Sequence, residues 1–351
     1  MFEALRITSY ALIGALAGAA FVAYFLTRHQ KRSTQGTATD YSRPIAVPVV
    51  PVRAFVLSGG AAAGSAQAGM LLELLTRGVL PDRVYGASSG AINAVALVSD
   101  PTVEGMHKLC AIWSGLSREI VFPGYRATTA VRAVTKRPSL FPNTGLRAVI
   151  ESGTNLRNIE DSTIPLELVA TSLVTGKERR LTSGPIIDAA LASAAIPGVF
   201  PPVVIDGEAL IDGAVVNHVP LSQAIADGAT EVFVLHTGDV HPRPAHSSRP
   251  LVNLLGALSV SAHTRFGIEV EYLARLHPEV TVVVIAAGGD ERGGYNDFSA
   301  TQHLIRAGRA ATASILDDYA FDVPEMKEQV SLGVTPASLN RVSVGSSPAI
   351  A

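Results

Sequence analysis

The chain has 351 residues, 48% of them hydrophobic, with 31 glycines and 21 prolines, so a large core is within reach and collagen-like or low-complexity classes are excluded. Its formal net charge of -2 leaves no electrostatic footprint for nucleic acid. A single cysteine, Cys110, excludes an intramolecular disulfide framework.

Residues 7–26, "ITSYALIGALAGAAFVAYFL", contain no charge, and such a stretch is long enough to cross a bilayer as a helix. Tyr10, Tyr24 and Phe25 fall near its ends, where interfacial aromatics belong. Ala15, Ala17 and Ala19 keep open the alternative of a cleaved signal peptide and export. The anchor is the preferred reading, because the run exceeds a usual signal core and "MFEALR" sets Glu3 against Arg6. Arg28, Lys31 and Arg32 follow at once, which predicts a single-pass membrane protein with its main domain on the cytoplasmic side. Gly14 and Gly18 form G-x-x-x-G, a helix-dimer face that would support a homodimer, although small residues fill this whole span. Residues 33–51 are polar and then Pro-interrupted, a linker without a core of its own.

From residue 52 the pattern changes. "VRAFVLSGG" (52–60) reads as a buried strand entering a tight loop. "SAQAGMLLELLTRG" (65–78) has helical spacing and a glycine stop. "DRVYG" is a second strand and "SGAINAVALVS" a second buried helix. Strand, helix, strand, helix in about 50 residues predicts a parallel, right-handed α/β arrangement. Residues 104–113 read as a helix carrying Cys110 as a small apolar residue. Glu104 and His107 make E-x-x-H there, but with no second pair they read as a solvated helix face rather than metal ligands. Further strands are predicted at 166–173, 231–237 and 280–287, and helices at 185–195, 221–228 and 251–278. The Pro/Gly-rich block 192–205, "ASAAIPGVFPPVVI", reads as a stiff loop over the core. After about 317 the pattern weakens, and 332–351 reads as a flexible tail.

Chemistry concentrates in three places. Gly86-Ala87-Ser88-Ser89-Gly90 is G-x-S-x-G between a strand and a helix, the context of a nucleophile elbow. Gly86 and Gly90 would relieve crowding at the turn, and the helix N-terminus would favour negative charge. The loop 58–64, "SGGAAAG", follows the first strand, and its backbone amides could form an oxyanion hole. It has neither G-x-G-x-x-G nor a P-loop lysine. A nucleophilic Ser88 also needs a base. His107, His218, His236, His241, His246, His263, His277 and His303 lie in no recognisable motif and read as solvated or structural. Asp212, in "EALIDGAVVNHVP", puts a carboxylate at a strand end, where desolvation could make it basic enough to take the serine proton. Asn217 and His218 follow it and read as holding that loop.

"FVLSGGAAAGSAQAGML", "DRVYGASSGAINA", "ASAAIPGVFPPV" and "LIDGAVVNHVP" stand in the order and spacing of the patatin-like phospholipases, and residues 52–317 resemble that family. The resemblance implies a three-layer α/β/α fold with a mainly parallel sheet and a Ser-Asp dyad without histidine. Carried over by position, Ser88 is the nucleophile, Asp212 the base, and the amides of Gly59, Gly60 and Ala61 the oxyanion hole. Gly64, Gly86, Gly90 and Gly213 support the motifs, and the 192–205 block walls an acyl pocket. No metal or cofactor is implied, and no calcium loop is present. The family loop usually reads G-G-G-x-[Arg/Lys]-G, whereas here Ala61 replaces a glycine and Ala63 the basic residue. The expected organisation is a membrane anchor with its basic flank (1–32), a linker (33–51), a catalytic domain (52–317) and an extension (318–351). The expected activity is hydrolysis of lipid esters, of phospholipase A or lysophospholipase type. The altered loop motivates a rival, a non-catalytic lipid-binding protein on the same fold.

Overall fold

In β1 (Arg53–Leu57), Phe55 and Leu57 enter one buried cluster while Ala54 and Val56 enter another. Period-2 alternation therefore feeds two cores, one on each face of a sheet. The computed structural model describes residues 51–123, 138–238, 250–287 and 295–319, all within the compact unit Val50–Ala351. The predicted span 7–26 with its Gly14/Gly18 face, nearly all of the linker and the tail lie outside the described residues. Among the described residues no helix is long and apolar enough to cross a membrane.

Eight strands form one sheet: β1, β2 (Arg83–Ala87), β3 (Leu166–Ser172), β4 (Glu178–Leu181), β5 (Val203–Ile205), β6 (Glu208–Asp212), β7 (Glu231–His236) and β8 (Thr281–Ala286). The order is β5-β6-β3-β2-β1-β7-β8, with β4 also paired to β3. The pairs β3–β2, β2–β1, β1–β7 and β7–β8 are parallel; those involving β4, β5 and β6 are antiparallel. One face is covered by α1 (Ser65–Thr76), α2 (Ser89–Ser99), α3 (Val103–Gly115), α4 (Thr144–Ser152), α5 (Ile186–Ser193) and α8 (Thr301–Asp318). The other face packs against α6 (Leu221–Ala226) and α7 (Pro250–Leu276) through Leu221, Ile225, Phe266 and Leu273. The expected three-layer arrangement with a mainly parallel sheet is therefore present.

The predicted strands and helices stand within a few residues of their expected bounds. The sequence reading did not include β4, α4, α8 or the β5–β6 hairpin. The hairpin turns at Asp206-Gly207, both with positive φ (51° and 78°), as a type I′ turn requires. Its first strand grows from the Pro-rich block, whose far end pairs as a strand instead of remaining loop throughout.

Candidate active site

β3 brings the two chemical segments together. Val169 pairs with both Ala87 and Arg180, and Ala170 with both Arg179 and Asp212. A strand has only two edges, and β4 occupies one of them. β6 must therefore take over from β2 along the other edge. The chain leaves β2 after Ala87, and Asp212 enters one register step further along. Ser88 Oγ donates to Asp212 Oδ2 at 2.7 Å.

Local geometry holds this pair rigid. Ser88 has φ 55° and ψ -124°, an uncommon backbone conformation for a residue with a side chain, and one that costs of order 1–3 kcal/mol. Such strain at a strand-to-helix turn is what exposes an elbow serine. The Ser88 amide donates to Ser193 Oγ (3.0 Å), which donates in turn to the Val169 carbonyl (2.6 Å). Asp212 Oδ1 accepts from the Ala214 amide at 2.8 Å, and its carbonyl accepts from Thr171 Oγ1. The close approaches explain the glycines: a Cβ on Gly213 would lie 2.1 Å from the Val169 carbonyl oxygen, and one on Gly90 2.3 Å from that of Leu57. "Asp-Gly" is here a packing requirement, not only a turn.

Ser88 and Asp212 are both buried. Burial pushes the Asp212 carboxyl up from 3.8 to about 6, against the opposing hydrogen bonds from Ser88 and Ala214. A carboxylate with that affinity for a proton is matched to general-base work near neutrality. Beside Ser88 opens an apolar cavity lined by Ile92, Leu109, Trp113, Phe122, Val149, Ile196, Phe200 and Tyr295 among others. Ala194, Ile196 and Phe200 come from the Pro/Gly-rich block, which walls the cavity as expected.

The glycine-rich loop lies across the carboxyl end of β1. The Gly59 amide donates to the His218 carbonyl at 3.1 Å, so it is not available to an oxyanion, contrary to the expectation for this residue. Among the described residues the amides of Gly60 and Ala61 have no acceptor. Within this loop these two amides remain able to donate. Ala61 sits at φ 49°, the left-handed region that an L side chain enters at a cost of about 1–2 kcal/mol. The loop thus keeps a glycine-like backbone where the residue is alanine. A buried network not anticipated from sequence holds it: Gln67 Nε2 donates to the Ser58 and Leu235 carbonyls, Asn93 Nδ2 to the Gly64 carbonyl and Gln67 Oε1, and Trp113 Nε1 to Asn93 Oδ1. These residues looked like ordinary helix positions because nothing local marks them as loop supports.

Of the remaining candidates, Glu104 and His107 are exposed on α3, the expected solvated face. Cys110 is partly buried, and desolvation lifts its thiol to about 11, away from nucleophilic use. Asn217 Nδ2 donates to Glu178 at 2.8 Å, a positioning contact. His241 and His246 lie outside the described residues. His218, His236 and His263, scattered over 46 positions in sequence, converge in one buried group. Their convergence had no sequence signal, since one sits in a turn, one at a strand end and one in mid-helix.

A strained serine hydrogen-bonded to a buried aspartate thus lies under a glycine-rich loop at the carboxyl ends of the parallel strands of an α/β protein. Residues 55–225 match the family model described as patatin-like phospholipase, so this stretch of the chain is a patatin-like phospholipase domain. It is 27% identical over 202 residues to the patatin-like phospholipase domain-containing protein 7 of Rattus norvegicus, covering 57% of this chain but 14% of that protein. It is also 27% identical over 202 residues to an uncharacterised NTE family protein of Mycobacterium tuberculosis, covering 58% of this chain and 53% of the relative. The chain thus spans a small part of the first of these and about half of the second. A solved structure, VipD from Legionella pneumophila, aligns over 76% of this chain and 67% of its own with a TM-score of 0.42 and 16% identity.

Proposed function

We propose that this chain is a serine acyl hydrolase of lipid esters, of phospholipase A or lysophospholipase type, with Ser88 as nucleophile and Asp212 as base. The 2.7 Å contact between Ser88 Oγ and Asp212 Oδ2 at the edge of an apolar cavity carries the reading. The acyl chain enters the cavity and its ester carbonyl meets Ser88. Ser88 Oγ attacks the carbonyl carbon as Asp212 Oδ2 takes the hydroxyl proton. The oxyanion forms against the Gly60 and Ala61 amides, with the N-terminus of α2 adding a favourable field. Collapse breaks the ester C–O bond, and protonated Asp212 delivers its proton to the departing alcohol. Water, deprotonated by Asp212, then cleaves the acyl-Ser88 ester, and the proton returns to Ser88.

The test is labelling and turnover of the purified protein. A fluorophosphonate should modify Ser88 stoichiometrically, and p-nitrophenyl esters of increasing acyl length should be hydrolysed with preference for chains that fill the cavity. Ser88→Ala should lose both signals while keeping the native fold. Absence of labelling in the folded wild type would instead support the non-catalytic lipid-binding reading. Membrane anchoring by 7–26 belongs to the same proposal and rests on the uncharged span and its basic flank. Full-length protein should resist alkaline carbonate extraction from membranes, and a chain starting at 44 should not.

A further inference from the structure

His218 follows β6, His236 ends β7, and His263 lies in the middle of α7, yet a ring nitrogen of each lies within 4.8 Å of the others. All three side chains are more than nine-tenths buried. The ring centroids are 5.0 to 5.7 Å apart. Buried polar atoms normally have partners, and each that lacks one calls for an explanation. Among the described residues, Nε2 of His218 and Nε2 of His263 are buried without a hydrogen-bond partner.

The outer hydrogen bonds orient these rings. His263 Nδ1 stands 2.7 Å from the Ser259 carbonyl, one turn back in α7. A carbonyl only accepts, so Nδ1 carries the proton and Nε2 the lone pair. His236 Nδ1 lies 3.1 Å from the Gly238 carbonyl and 3.3 Å from the Gly238 amide nitrogen, and donating to the nearer carbonyl leaves the lone pair on Nε2. Backbone acceptors on the far nitrogen are how metal-binding histidines are usually fixed. We infer that His218, His236 and His263 form a three-histidine site for a divalent transition metal, with zinc the best match to three imidazoles.

The spacing is within reach of coordination. Nitrogens at the corners of a triangle with the 4.8 Å limit as its side lie about 2.8 Å from its centre, against about 2.0–2.1 Å for a Zn–N bond. Each ring tip advances by about 0.8 Å at most, a small rotamer adjustment. Three neutral ligands leave a fourth position for water or hydroxide.

The site lies against the loop that supplies the oxyanion donors. A Cβ built on Gly59 would stand 3.0 Å from His218 Nδ1 and 3.1 Å from Ser88 Cβ. The His218 carbonyl also holds the Gly59 amide. A metal bound here ties α7 to β7 and to the turn after Asp212, and braces the loop from behind. It also puts positive charge near a loop that carries Ala63 in place of the family's basic residue.

The test uses the full-length purified chain, stripped with a chelator and titrated with zinc against a chromophoric competitor. One zinc per chain should bind, with a higher melting temperature on loading. Cobalt(II) should give the intense visible d–d bands of a four-coordinate nitrogen-rich site. His263→Ala should lose the bound equivalent and the thermal shift, whereas His107→Ala, on the exposed face of α3, should keep both. Ser88→Ala should bind zinc as wild type does, so loss of the hydrolase reading leaves this result standing. Cobalt spectra showing only hexaaquo-like bands in the wild type would overturn the site, even if His263→Ala failed to fold. Equal zinc binding by His263→Ala and wild type would overturn it as well.

Discussion

Asp212→Asn separates stability from chemistry at this site. The carboxyl is fully buried and its pKa is lifted from 3.8 to about 6, with desolvation the largest cause. A group whose folded pKa is raised contributes its full stability below the unfolded pKa, near 3.8, and loses it as pH rises through the folded value near 6. A shift of that size corresponds to about 3 kcal/mol at roughly 1.4 kcal/mol per unit. Asparagine keeps the acceptor for the Ala214 amide and turns its amide nitrogen toward Ser88 Oγ, so little packing is lost. Urea denaturation of the two proteins should give similar stabilities at pH 4 and a variant more stable by about 3 kcal/mol at pH 8. Most of the difference should develop between these pKa values, while ester hydrolysis falls by about 10³-fold or more for want of a base. A stability difference that does not change from pH 4 to 8, or a variant weaker at pH 8, would refute the argument that burial of the charged carboxylate is costly.

The same carboxyl should set the acid limb of activity: kcat/KM of the wild type should drop tenfold per pH unit below about 6, and a flat profile down to pH 4.5 would exclude Asp212 as base. Ala61→Gly should relieve the left-handed backbone at φ 49° and raise stability by about 1 kcal/mol with activity retained, measured by denaturation and p-nitrophenyl ester turnover. Ser193→Ala leaves the buried Ser88 amide without its acceptor, so stability should fall by about 1–3 kcal/mol and kcat should fall more than KM changes. Gly213→Ala drives a Cβ to 2.1 Å from the Val169 carbonyl oxygen; the β3–β6 register must shift, and turnover should fall at least as much as stability.

Much of the fold was legible because its strands and first two helices are local patterns. Short apolar runs ending in glycine mark β1 and β2, and helical spacing marks α1 and α2. β4 escaped notice because Glu178, Arg179 and Arg180 make it polar, and it exists only as a partner for β3. The β5–β6 hairpin was hidden by prolines before it, although Asp206-Gly207 was a turn signal in plain view. The site residues Ser88 and Asp212 were identified from their motifs, and the structure places them in hydrogen-bond contact. Gly59 was assigned an oxyanion role from loop position alone, and its amide is turned instead to a carbonyl 159 residues away.

By itself, the amino-acid order determined the alternating strands, the glycines at tight approaches, and the serine and aspartate in their motifs. These depend on side-chain size and polarity within a few neighbours. Only the tertiary structure decided that β6 continues the edge of β3 vacated by β2, so that Asp212 meets Ser88. It alone decided which loop amides stay free among the described residues, how far burial raises the Asp212 carboxyl, and that three unremarkable histidines share one buried site. Desolvation and long-range register arise from what packs against a residue, and no local pattern of residue types encodes that.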